Sequence, residues 1–478
     1  MFGQTNERVQ EYRLGDYQKG EEMELHEYSQ FLPLLEKHLK DLDGWRGQYG
    51  PDPTPLPVDL DQMDEVMGQL VDRLKMNFPM HHSRYIGQMI KPPHPVAWAS
   101  YALAMTLNPN NHSDECGLPT SNMEREIMKE MSKMVGYGDT YLGHLTSGGT
   151  IANLEALWVG RELHPGKAIA ASKNSHYTHP RMSKLLGLDF IELGLAEDGY
   201  FDLEEFRRHA DKIGTLVVSM GSTGHGKVEP LDKIIPIARE YGVRVHVDAA
   251  YGGFFGLISG DLGIRREPWL AVAESDSIVI DPHKHGLQPY GCGSILFKDP
   301  SVSRVYDHDS PYTYFMPSDL HLGEISLECS RPGQVSAAFW ATIQLLPLRR
   351  DEGVGDYLKL SRQYALDFCD EIAAQENRYR IYMEPDLDIV TWMVVPEEKT
   401  TTACSAANRK WFQDKMDDPE NPIFVSMLKV SGEYFGRRHP DFVVDSYQVE
   451  IMRSVFIKPQ HANILGKVFA NDTHAQAS

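Results

Sequence analysis

Paired cysteines, basic tracts and long apolar runs are all missing from this chain of 478 residues. Its five cysteines, Cys116, Cys292, Cys329, Cys369 and Cys404, are odd in number and scattered. That pattern excludes a disulfide framework and a thiolate metal site, and it makes a reducing cytoplasm the simplest location. No Lys/Arg tract is longer than a pair, and 47 basic against 68 acidic side chains leave a formal net charge of −21. A nucleic-acid partner is therefore excluded, because phosphate binding needs a basic surface, and anionic membranes are disfavoured for the same reason. No run approaches the length of a membrane span, and the opening MFGQTNERVQEYRLGDYQKGEE lacks the apolar core of a signal peptide, so a soluble protein without a membrane partner is expected. The acidity itself reads as a solvated surface and carries no information about substrate charge.

The length suits one large and one smaller domain, each burying its own core. Residues 1–94 read as an N-terminal arm: helical YSQFLPLLEKHL is followed by YGPDPTPLPVDL, which cannot be helical from Pro51 to Pro57. Over 95–346 helical patterns alternate with the β-rich runs AIAAS, FIELGL, TLVVSMG, VRVHVDAA, SIVIDPH and SILFK. Such alternation predicts an α/β domain, a mostly parallel sheet with helices on both faces and a ligand at the strands' carboxyl ends. Over 347–478 a helix with Leu358, Ala365, Phe368, Cys369 and Ile372 on one face precedes strand-like IVTWMVV and PIFVSMLKV, which reads as a small C-terminal α/β domain. The tail NDTHAQAS is polar and reads as frayed.

Three segments carry chemistry. In DPHKHG, Lys284 follows the apolar run Ile278-Val279-Ile280, where a buried strand ends. A lysine in a desolvated site can lose its proton and form a Schiff base with a carbonyl. In VRVHVDAAYGG, His246 and Asp248 share one strand face, with Asp248 at the carboxyl end, suited to a pyridinium nitrogen or else to a helix cap or salt bridge. Ala249 and Ala250 beside it are small enough for a flat ring to lie against the strand, and His246 reads equally as a substrate-side group or a satisfied core histidine. Ser147, Gly148, Gly149 and Thr150 precede a helical pattern and suit a phosphate on a helix N-terminus, although alone they also fit an ordinary capped turn. His283 and His285 flank the lysine without a third ligand at metal spacing, so no metal is expected.

These segments, together with HSRYIGQM, PHPVAWA, NPNNH and GHLTSGGTIANLEALW, resemble the group II decarboxylases that use pyridoxal phosphate, and within that family the look is of bacterial tyrosine decarboxylases. The likeness runs from about His82 to Trp340, with an echo in IMRSVFIKP. It implies the type I pyridoxal-phosphate fold, similar to aspartate aminotransferase, a homodimer, and decarboxylation of an L-amino acid. It also implies roles. Lys284 would carry the cofactor, His176 would stack on its ring and contact the substrate carboxylate, and His283 would stand beside the lysine. Thr223 would close the pocket, and Ser330 would reach the phosphate from the second subunit. His179 has no counterpart recognised in the family, and His285 is expected to line the entrance. A tyrosine of the segment YDHDSPYTYFMPSD, where Tyr306 competes with the favoured Tyr312 and Tyr314, or else His283, would return a proton to the α-carbon, whereas Phe315 in the tyrosine's position would favour oxidative deamination. For substrate, Tyr85, with Arg84 beside it, and Gln88, which stands where a histidine is expected, would shape the pocket. An aromatic amino acid is favoured, with glutamate or aspartate open. A carbon–carbon lyase like that acting on sphingosine phosphate, and a silent cofactor-binding relative, are the alternatives; intact Lys284, Asp248 and His176 count against silence.

Overall fold

The computed structural model describes residues 27–50, 57–307 and 321–470, and the chain forms two compact units, Met1–Met80 and His81–Ser478. In the first unit the apolar stretch YSQFLPLLEKHL enters the helix Leu32–Arg46, with Pro33 in its first turn, where no intrahelical N–H is needed. A second helix, Leu60–Leu74, starts at Asp59, whose carboxylate accepts the Gln62 N–H at 3.0 Å. Most of the proline-rich connector lies outside the described residues.

Residues 81–94 belong to the second unit, not to an arm. Ile86 is fully buried; its N–H donates to the Phe424 carbonyl at 2.8 Å and its carbonyl accepts from Val455 at 2.7 Å. Gly87 permits this close pass, because a Cβ there would stand 2.9 Å from the Val425 carbonyl carbon. The few apolar side chains in HSRYIGQM, Tyr85, Ile86 and Met89, gave no periodic signal of this packing.

The large sheet of the second unit has seven strands: β1 (Leu142–Thr146), β2 (Ala168–Ser172), β3 (Phe190–Leu193), β4 (Ile213–Ser219), β5 (Arg244–Asp248), β6 (Ser277–Ile280) and β7 (Gly293–Phe297). Their spatial order is β1-β7-β6-β5-β4-β2-β3. Every pairing from β6 through to β3 is parallel, and β7 alone runs against both of its neighbours. Helices cover both faces, so β4, β5 and β6 are buried along their whole length; β4 and β6 read as mostly apolar runs, whereas β5 alternates Val245 and Val247 with the buried polar Arg244, His246 and Asp248. β1 is not among the β-rich runs anticipated from the sequence, because LGHLT interrupts its leucines with Gly143 and His144.

The small sheet is antiparallel: β8 (Tyr379–Met383), β9 (Ile389–Val394), β10 (Ser426–Ser431) and β11 (Gln448–Val455), in the order β10-β11-β9-β8. The helix Val354–Ala373 buries Leu358, Ala365, Phe368, Cys369 and Ile372, the face anticipated from their spacing. Phe368 meets Trp392 edge-on at 5.9 Å and lies 5.0 Å from Phe456, joining helix to sheet.

The NPNNH segment becomes a buried polar hub behind β1. Asn111 donates to the carboxylate of Glu124 and to Ser336 Oγ at 2.9 Å, and it accepts from Thr120. Arg331 pairs with Glu124 and donates to the Leu145 carbonyl at 2.8 Å, while Glu124 also accepts the Leu145 N–H at 2.9 Å. Burial by itself would raise the Glu124 carboxyl, but the Arg331 guanidinium and its hydrogen bonds hold it below the usual glutamate range. Because β1 leads directly into Ser147, this hub fixes the approach to the glycine loop. Glu124→Gln should destabilise the fold by about 3–5 kcal/mol in urea unfolding at neutral pH, since it leaves Arg331 buried without a counter-charge. A carboxyl whose folded pKa is depressed stabilises above its unfolded value and loses that stability as pH falls. The gap between wild type and variant should therefore shrink below about pH 4.

Candidate active site

The carboxyl ends of β1, β2, β4, β5 and β6 open onto one cavity of ≈ 400 Å³. This is where an open α/β sheet leaves room, because the crossing helices diverge from the strand ends. Ser147 and Gly148 follow β1, His176 follows β2, Thr223 follows β4, Asp248 closes β5, and His283 and Lys284 follow β6; all line the cavity. Thr150 and Ala250 line it as well. Five segments far apart in the chain thus deliver these side chains to one place.

The glycine loop makes an anion cradle. Gly148 sits at φ +152° and ψ 171°, a conformation open essentially to glycine, and it begins the helix Gly149–Leu163 with no side chain capping it. A Cβ on Gly149 would lie 2.7 Å from Asp281 Oδ2, and one on Gly293 would lie 2.6 Å from the Gly148 carbonyl carbon. The first helical N–H groups and the helix dipole are therefore left for a ligand anion. Ser147 differs in one respect: its N–H is already taken by the Glu328 carboxylate at 2.8 Å.

Two acids organise the wall beside it. Lys284 Nζ stands 3.1 Å from Asp281 Oδ2, and His283 Nε2 is 3.4 Å from the same oxygen. Asp281 is buried and its Oδ1 has no hydrogen-bond partner among the described residues. Asp248 Oδ2 accepts from His179 Nε2 at 2.9 Å, and Oδ1 accepts the Ala250 N–H at 3.2 Å. Burial alone would raise the Asp248 carboxyl, yet the His179 hydrogen bond, the neighbouring imidazoles and Lys284 outweigh it and hold it well below the usual range. Burial pushes His176 and His283 down, against the pull of Asp248 and Asp281 respectively. An amine, an ionised acid and an anion cradle facing one cavity suit a flat, phosphorylated pyridine aldehyde.

The model of the pyridoxal-dependent decarboxylase conserved domain matches residues 51–395. The chain belongs to this family. It is accordingly a pyridoxal-phosphate-dependent carboxy-lyase with the type I fold. It is 26% identical over 536 residues to L-tyrosine decarboxylase of Enterococcus faecium, covering 87% of this chain and 86% of that protein. It is 27% identical over 333 residues to a probable L-aspartate decarboxylase of Pyrococcus abyssi, covering 69% of this chain and 84% of that protein. Among solved structures, mouse CSAD superposes with a TM-score of 0.73 at 19% identity over 91% of each chain. Oryza sativa TDC with PLP and tryptamine gives 0.73 at 15% identity over 98% of this chain and 99% of that one.

Other sequence-derived positions fall elsewhere in this decarboxylase. His246 is fully buried and bonds Ser277 Oγ and Asn153 Oδ1, each at 2.9 Å; it is a core histidine, held neutral by burial that pushes it down to about 3. It acts on the site only indirectly, because Asn153 Nδ2 donates to the Gly149 carbonyl at 2.7 Å. Tyr85 stacks on Phe424 at 6.1 Å and Gln88 is exposed, and neither lines the cavity of this chain. Arg84 donates to the Glu420 carbonyl and to Asn421 Oδ1, also apart from it. His285 is buried against Tyr251 and Phe255, not at an entrance. Tyr306 is buried and donates to Glu155 at 3.0 Å, which removes it as a proton donor to substrate; burial and that carboxylate push its phenol far up. Tyr312, Tyr314 and Phe315 lie outside the described residues. Ser330 is exposed, accepts from Asn110 at 3.2 Å and does not line this chain's cavity.

Sequence reading missed Tyr251, Asp281 and His179. Asp281 could have been found from its i, i+3 spacing to Lys284 in a tight turn. Gly149→Ala should weaken pyridoxal phosphate binding about tenfold or more, the equivalent of the roughly 1–3 kcal/mol that forced overpacking costs. Equilibrium dialysis of the folded variant measures this.

Proposed function

We propose that this decarboxylase converts an L-amino acid with an uncharged, aromatic side chain, of the tyrosine kind, to its amine and carbon dioxide. The observation that carries the reading is the charge of the cavity wall. Among the described residues lining it, Lys284 is the only lysine or arginine, so no second cation stands ready for the side-chain carboxylate of glutamate or aspartate. Two ring-bearing phenols, Tyr177 and Tyr251, line the same wall. The tyrosine decarboxylase of Enterococcus faecium supports the reading by similarity, while the archaeal aspartate decarboxylases make an acidic substrate the competing outcome.

Pyridoxal phosphate, when bound, supplies an electron sink for the pair released at the α-carbon. The amides of Gly149 and Thr150 would bind its phosphate, with Thr150 and Ser147 hydroxyls beside them. Asp248 would hold a proton on its ring nitrogen, and Ala250 and Thr223 would bound the slot in which it lies. Lys284 would give up its covalent hold to the incoming amino group and take it back at product release. His176, kept neutral by burial, would orient the substrate carboxylate so that the bond to it is the one that breaks. His283 is the described residue beside Lys284 that would deliver the proton which replaces carbon dioxide on the α-carbon.

Ser330, exposed and not among the described residues lining its own chain's cavity, fits the reading that it completes the site of a second copy. A homodimer is therefore part of the proposal, and a monomer by light scattering at assay concentration would contradict it. The unpaired state of all five cysteines supports a cytoplasmic setting.

Carbon dioxide release from a panel of L-amino acids, with pyridoxal phosphate supplied, tests the substrate. Tyrosine, phenylalanine or tryptophan should be turned over and glutamate and aspartate should not; the reverse would overturn the assignment. Lys284→Ala should abolish both turnover and borohydride trapping of the cofactor on the protein.

A further inference from the structure

His179 has no role expected from the sequence, and the structure puts it in direct contact with the acid of β5. Its ring is fully buried and does not line the cavity. Nε2 lies 2.9 Å from Asp248 Oδ2, whereas Nδ1 has no partner among the described residues, so the hydrogen-bonding capacity of the ring is directed at that carboxylate. The backbone holds the ring in place: the His179 N–H donates to the His176 carbonyl at 3.2 Å, and its own carbonyl accepts from Ser183 Oγ at 3.0 Å. The first turn of the helix Thr178–Leu185 is thereby pinned against the end of β5.

We infer that His179 is a positioning residue for catalysis: it orients Asp248 and keeps its carboxylate ionised toward the ring nitrogen of the cofactor. The inference rests on the cofactor placement proposed above. A carboxylate that accepts from both His179 and the Ala250 N–H is a weaker base than one with a free oxygen. The proton it shares with a pyridine nitrogen then stays on the nitrogen, where it strengthens the electron sink. Without His179, Asp248 keeps its charge in a buried place with one donor fewer. Its basicity rises, its rotation about the side chain is freed, and the sink weakens at a residue the substrate never touches.

His179→Phe and His179→Gln separate this role from a packing role, because a glutamine amide can reach where Nε2 stood and phenylalanine cannot donate. For His179→Phe the expectation is a fall in kcat of about tenfold or more with KM little changed, by comparison with lost partners of first-contact ligands. The visible absorbance of the bound cofactor should shift, and His179→Gln should recover most of both. In an Asp248→Asn background, His179→Phe should add no further loss, since its effect passes through that carboxylate. Should His179→Phe fail to fold, His179→Gln against His179→Asn makes the same comparison, the asparagine being too short to donate at the Nε2 position. A wild-type absorbance and kcat in His179→Phe, or losses that add to those of Asp248→Asn, would overturn the inference. Failure of the wild-type protein to hold pyridoxal phosphate on Lys284 would overturn the cofactor placement instead, and borohydride trapping distinguishes the two.

Discussion

The buried carboxylate of Asp281 is the contact on which the rest of the site depends. It follows β6 directly, faces Lys284 at 3.1 Å, approaches His283 and occupies the space that any side chain on Gly149 would need. One acid therefore ties the amine, its neighbouring histidine and the anion cradle into a common geometry. Taking it out of water without partners would be costly, so its charge selects for a cation close by, and Lys284 is the cation the turn supplies.

Around that contact the sheet acts as a jig. β7 runs against its neighbours and begins at Gly293, whose lack of a side chain lets the backbone at Gly148 pass across it. β1 is held from behind by Glu124, Arg331 and Asn111, so the glycine loop starts from a fixed place. His246 and Asn153 then fasten the Gly149 carbonyl from within the core. Lys284, Asp248 and the glycine loop are thus each backed by a buried polar contact, which is how a site is kept in register when its members come from five segments of the chain.

Much of this was legible locally. Lys284 and Asp248 each close a run of buried β residues, and the two glycines before a helical pattern marked the cradle, since a short strand or a helix start writes its signature in adjacent positions. The helix Val354–Ala373 showed its buried face for the same reason. Residues 81–94 were read as arm and β1 was not anticipated, because the first has few apolar residues without a helical or strand period and the second is an interrupted five-residue strand. His246 illustrates a different failure: alternation places a side chain on a face of a strand but does not say whether that face looks into a cavity or under a helix.

The order of motifs along the chain determined the α/β alternation, the identity of the amine and the acid, and the family to which they belong, because each rests on residues close in sequence. Only the tertiary structure decided which histidine serves the acid. His176 lines the cavity, His246 is spent in the core, and His179 reaches Asp248 across 69 positions of sequence. That pairing depends on how a helix after β2 packs against the end of β5, a distance that no spacing along the chain encodes.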